Sequence, residues 1–180
     1  MERRDFLAFL ALTGCGGEME YQIQPSPRLR TSQKVFQTGV SDSWTPALTF
    51  ATPGNVSVTY TTQAGVYVRF GDLVVAFFDI ITATFTHTTA NSFLLVTGLP
   101  DVVINTPNSV SYGGGNTNWQ GITKANYTDI TPHPAEGQTY CTLVASGSGQ
   151  SRSSVQALDV PSGGSVSLHG FAIYKTSDTT

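Results

Sequence analysis

Residues 56–84 read VSVTYTTQAGVYVRFGDLVVAFFDIITAT, and this stretch decides the fold class. Val56, Val58 and Tyr60 fall on one side of an extended chain while Ser57, Thr59 and Thr61 fall on the other. In GVYVRF, Val66, Val68 and Phe70 share a side opposite Tyr67 and Arg69. The alternation predicts strands with one buried face each. The Thr62–Gly65 link and the Gly71–Asp72 pair have the length and chemistry of turns, so an antiparallel meander is expected. From Leu73 to Thr84 both sides are apolar: Leu73, Val75, Phe77 and Ile81 on one, Val74, Ala76, Phe78 and Ile80 on the other. A sandwich strand needs one apolar face, and a second left open invites aggregation. We therefore expect Val74, Ala76, Phe78 and Ile80 to form a subunit interface, worth roughly 1.5–3 kcal/mol per buried side chain. The alternative cover is a loop or the N-terminal arm of the same chain.

Working outward, Ser92–Thr97, Tyr140–Ala145, Ser154–Leu158 and Ser165–Tyr174 are further strand candidates, and Asp101–Gln138 reads as one long irregular stretch. No helical period appears after Lys34. The composition agrees: 12% of the 180 residues are charged, half the roughly 25% of an ordinary domain. The 17 Ser, 25 Thr and 18 Gly suit strands and turns. The expected fold is all-β, an antiparallel β-sandwich or jelly-roll-like domain over residues 41–180.

Residues 1–40 differ in kind. The first 34 hold five of the nine basic residues and the run FLAFLAL, Phe6 to Leu12. Seven residues at about 1.5 Å each cannot cross a bilayer core of about 30 Å, so no membrane span is expected. One reading is an anchoring segment: a short helix stopped at Gly14 that docks Phe6, Leu7, Phe9, Leu10 and Leu12 on another protein, followed by an extended arm. The other is an export signal, with Arg3, Arg4, Phe6 and Leu7 resembling a twin-arginine motif and Leu12-Thr13-Gly14-Cys15 a lipobox that would place a lipid on Cys15. The second reading would make the body a tethered carbohydrate-binding sandwich.

Chemistry-bearing residues are sparse. After Lys34 only Arg69, Lys124, Arg152 and Lys175 are basic, too few and too scattered for a phosphate-binding groove, so no nucleic acid is expected. Cys15 and Cys141 have no metal-ligand spacing and no specific reason to pair. His87, His133 and His169 form no HxH or HExxH pattern, and Gly113–Gly115 precedes no helix that would make a phosphate cradle; no metal or cofactor is expected. His169 shares a strand face with Ser165, Ser167, Phe171 and Ile173. Asp79 lies among Phe77, Phe78 and Ile80 and needs a partner, with Arg69 or another subunit as candidates. No Gly-x-Ser-x-Gly elbow occurs, and a hydrolase would require the fold to bring two carboxylates or a Ser–His pair together in a cleft. The expectation is a protein that is not an enzyme. Tyr112, Trp119 and Tyr127 are candidate glycan contacts, or pins holding the long loop to the body.

One set of motifs is recognisable in its order. Trp44-Thr45-Pro46-Ala47-Leu48-Thr49-Phe50, Val58-Thr59-Tyr60-Thr61-Thr62-Gln63, Gly65-Val66-Tyr67, Gly71-Asp72-Leu73-Val74 and Val96-Thr97-Gly98-Leu99-Pro100 resemble a β domain recurrent in virion-surface proteins of tailed bacteriophages. It is familiar at the C-terminus of tail fibres. Gly164 to Tyr174 matches more loosely, and Arg69 stands nearest to the family's basic residue. The resemblance implies a homotrimer of non-enzymatic β domains projecting from a virion; a major capsid protein or a tail or baseplate adaptor is then the expected partner, and the loop aromatics would add a host surface glycan. With no heptads or collagen-like repeats for a shaft, a capsid decoration or cement protein, or a short fibre tip, is the expected role.

Overall fold

The computed structural model describes residues 39–105 and 113–176. The expected N-terminal helix and arm, with Phe6, Leu7, Phe9, Leu10, Leu12 and Cys15, lie outside the described residues, as does Tyr112. In chain order the strands are β1 (Val40–Trp44), β2 (Ala47–Thr52), β3 (Ser57–Phe70), β4 (Leu73–Thr86), β5 (Asn91–Thr97), β6 (Gly113–Gln120), β7 (Asp129–Pro134), β8 (Tyr140–Ser146), β9 (Ser153–Ser154) and β10 (Ser167–Lys175). A short 3-10 turn at Ala157–Asp159 precedes β10. One sheet runs β1-β3-β4-β10-β6 and the other β2-β5-β8-β7, with β9 paired to β8. The described pairings are antiparallel, and the fold is the expected all-β sandwich. Between the sheets Leu48 and Phe50 of β2, Leu94 and Val96 of β5, and Leu143 of β8 meet Val74, Phe78 and Ile80 of β4 and Leu168 and Tyr174 of β10. Tyr60 ties the layers from β3, its hydroxyl accepting a hydrogen bond from the Leu48 N–H at 2.8 Å.

The β3–β4 hairpin turns at Gly71–Asp72, as expected. Phe70 pairs with Leu73, and Gly71 sits at φ 62°, the positive value a two-residue hairpin loop of the II′ type needs at its first position. The expected turn at Thr62–Gly65 is absent, because β3 is one 14-residue strand that runs straight through it. Gly65 instead lies under Trp44: a Cβ there would collide with the indole nitrogen, which is fixed by donating to the Phe77 carbonyl at 2.9 Å.

An irregularity beside that segment decides which face looks inward. Thr59 pairs with Thr84, Tyr60 with Thr82 and Thr62 with Ile81, so Thr61 and Ala83 are each passed over. Each strand therefore carries one extra residue, and each changes the side it turns inward. Before the bulge Val58 and Tyr60 pack against the core and Phe85 is fully buried; after it Gly65 and Tyr67 face in, with Thr82, Ile80, Phe78, Ala76 and Val74 opposite. The expected inward set Val66, Val68 and Phe70 thus points outward. The expected subunit interface is likewise corrected: Val74, Ala76, Phe78 and Ile80 are 0–4% exposed in this chain's own core, and the second apolar face of β4 is the one carrying Leu73, Val75 and Phe77.

Two further expectations change. The stretch Asp101–Gln138 contains β6 and β7, and Ser154–Leu158 is the end of a two-residue strand followed by the 3-10 turn. The three glycines of β6 have no side chains to alternate, so pairing with β10 is what sets the strand.

At the bulge the ladder is completed by a side chain. Thr82, 1% exposed, donates its backbone N–H to the Val166 carbonyl at 2.9 Å, while its hydroxyl accepts the Val166 N–H at 2.8 Å. Thr82→Val keeps the shape and leaves that N–H unpaired in the interior. We expect a loss of about 2 kcal/mol, read from chemical denaturation; an unchanged midpoint and slope would refute this account of the bulge.

Candidate functional site

Antiparallel register arranges the outer face of the first sheet in rows. Val66, Phe77 and Phe171 form one row and Val68, Val75 and Ile173 the next, with Phe70 and Leu73 closing the patch at the hairpin turn. The Phe77 and Phe171 ring centroids are 6.0 Å apart. Val66 is 54% exposed, Phe70 49%, Phe77 43% and Ile173 38%. By contrast Thr49, Thr97, Thr131 and Thr142 stand on the outer face of the second sheet. On that second face Leu95 and Val144 stand between the threonines and are buried at 6% and 5% exposure, whereas the apolar side chains of the first face are open.

Polar groups border the patch along the strands. At the turn end Lys175 Nζ donates to Asp72 Oδ2 at 2.7 Å, which holds that carboxyl below the usual carboxylate range. At the other end Ser167 Oγ lies 2.8 Å from His169 Nε2, and His169 Nδ1 lies 2.8 Å from Asp79 Oδ1. His169 is thus the partner of Asp79. The expected candidate, Arg69, turns instead to Asp101 at 3.4 Å and to the Gly71 carbonyl at 2.9 Å. The reason is register: β4 pairs with β10 on one side, setting His169 directly across from Asp79, while its other neighbour there is Ala64. Ser167 and His169, two apart on one strand, were readable as face-mates; Asp79 joins them only through the β4–β10 ladder.

This Ser–His–Asp row has the order of a nucleophilic triad but not its setting. His169 and Asp79 are about half exposed, at 47% and 49%, on an open sheet face rather than in a cleft. The His169–Asp79 contact is close but is not an aligned hydrogen bond, since Asp79 Oδ1 has no donor in line. Ser167 lies on a central strand, its backbone amides engaged in ladders to β4 and β6, so no pair of N–H groups is free to hold an oxyanion.

The other candidates are committed to the fold. His87 is buried against Phe50 and Phe85, with Nε2 2.8 Å from the Val160 carbonyl. It floors a shallow depression of about 310 Å³ rimmed by Thr88, Asn91, Gln156 and Leu158. Burial lowers the pKa of His133, which stands on β7, far in sequence from the other two His. Cys141 is fully buried, and burial pushes its thiol up to about 12, which keeps it unreactive. Among the described residues no three His, Cys, Asp or Glu side chains gather as a metal set. Trp119 packs on the core from β6. The Tyr127 hydroxyl donates to the Ser151 carbonyl at 3.0 Å, and its ring lies 5.3 Å from Lys124 Nζ. Lys124 in turn pairs at 2.7 Å with Asp159, which is 4% exposed and also accepts the Gln156 N–H. Both described aromatics are thus half-buried and engaged with the fold.

No protein-family model and no curated protein matches the chain. The fold is similar to that of the Dettilon tailspike protein (gp208), at 15% sequence identity and a TM-score of 0.59, over 78% of this chain and 24% of that one. The chain therefore spans less than a quarter of that protein's length, and the likeness is one of fold.

The row at Ser167 gives a direct prediction. A fluorophosphonate probe, which labels activated serines, leaves the intact mass unchanged. Labelling that disappears in Ser167→Ala would reassign the row as a nucleophilic site.

Proposed function

We propose that this chain is a non-enzymatic structural protein of a tailed-phage virion, a homotrimeric capsid decoration or cement protein, with a short tail-fibre tip as the nearest variant. The observation that carries the reading is the sandwich fold shared with a tailspike protein across 78% of the chain. An outer sheet face that is apolar where a solitary domain would be solvated supports assembly as its purpose. Attachment to the particle falls to residues 1–40, where the charge and the FLAFLAL run are concentrated. A major capsid protein or a tail adaptor is the corresponding partner. The competing reading, a lipoprotein tethered at Cys15 with a glycan-binding body, draws no support from Trp119 and Tyr127, whose side chains pack on the core or pin a loop.

Purified virions should contain this chain with residues 1–14 retained in its intact mass. Deleting residues 1–40 should leave a folded body that no longer joins particles. An acylated chain beginning at Cys15, found in a bacterial envelope fraction, would replace the virion reading with the lipoprotein one.

A further inference from the structure

We infer that the outer face of the β1-β3-β4-β10-β6 sheet is where a second copy of this chain docks. The inference deepens the oligomer proposed above and rests on it. The face has the anatomy of a protein–protein interface, an apolar centre inside a polar rim. Its centre is Val66, Phe70, Leu73, Phe77, Phe171 and Ile173. The rim closes on four sides: Ser41 and Ser43 along β1, Asn116 and Asn118 along β6, the Asp72–Lys175 pair at the turn end and the Asp79–His169 pair at the other.

Three features select a second copy as the occupant. Size is the first. With strands about 4.8 Å apart and about 3.3 Å per residue, nine residues each of β3, β4 and β10, eight of β6 and five of β1 give roughly 600 Å² in projection. That approaches the roughly 800 Å² per partner of a standard specific interface. Charge is the second: the Asp72 carboxylate at the rim is already paired with Lys175 within this chain, and Asp79 stands against His169. The centre of the face carries no charged side chain, and an equally apolar surface, its own, fits it. Shape is the third: Phe77 and Phe171 form a ridge, while Gly114, next to Ile173, has open space where a Cβ would be, so the ridge of one copy can meet the notch of the next, the head-to-tail contact that a trimer requires.

The test is light scattering on the full chain and on a variant carrying Val66→Thr, Phe77→Thr and Ile173→Thr, β-branched replacements that favour strand and leave the core side untouched. The wild type should have a mass that is a multiple of 19.2 kDa, three times for a trimer, and the variant 19.2 kDa at the same concentration. Self-association should weaken by about 100-fold or more, as expected for losing three buried apolar side chains. Phe77→Asp alone, which sets a second carboxylate near Asp79, should give the same result if the triple variant fails to fold. A folded variant with the wild-type mass overturns the choice of face and leaves the oligomer standing. A wild type that remains at 19.2 kDa overturns both.

Discussion

A strand can turn only one parity of its residues inward, and the β3–β4 hairpin changes parity partway along. The paired bulge at Tyr60–Thr62 and Thr82–Thr84 makes the change in both strands at once, so the ladder keeps its register on either side while the inward set switches. Everything on the outer face follows. Had the parity continued unbroken, Val66, Val68 and Phe70 would lie in the core, and Tyr67 and Arg69 would lie outside. The switch sends Tyr67 inward and leaves the valines and Phe70 beside Phe77 and Phe171 on the surface.

The bulge is held by chemistry on both flanks. Thr82 exchanges hydrogen bonds with Val166 through its backbone and its hydroxyl, replacing a ladder pair where the strands are irregular. On the other side Trp44 covers Gly65, the first buried position of β3 after the switch, and is fixed through the Phe77 carbonyl. The same hairpin therefore determines the core, the apolar patch and the polar ends of that patch. Asp79 and His169 meet because β4 and β10 are paired in this register, and Lys175 reaches Asp72 across the same ladder. Their distances suggest chemistry, but an open face with committed backbone amides suits the rim of an interface better than a reaction centre.

Much of this was readable from the chain. Alternation with a period of two identifies strands from VSVTY onward, the succession of such signals identifies an all-β fold, and two apolar faces on Leu73–Thr84 signal a surface needing cover. Which of the two faces becomes the core was not readable, because it depends on the parity set at the bulge. The segment Thr61-Thr62-Gln63-Ala64-Gly65 gives no warning there, its small and polar side chains fitting either side of a strand or a turn equally well. β6 was hidden for a different reason: GGGNTNWQ has almost nothing to alternate, and its conformation comes from β10. For the polar row, Ser167 and His169 were legible as neighbours on one face. Asp79 required knowledge of a pairing between distant strands, which no local pattern contains.

Cysteine accessibility on adjacent residues of β4 tests the central claim most directly, with Cys15 replaced by Ser and Cys141 silent in the core. In dilute solution Phe77→Cys should react readily with a maleimide while Ala76→Cys stays protected until the chain unfolds. As the concentration rises and copies associate, Phe77→Cys should become protected as well. Reaction at position 76 with protection at position 77 in the dilute chain would contradict the account, since it would put the patch and the core on each other's faces.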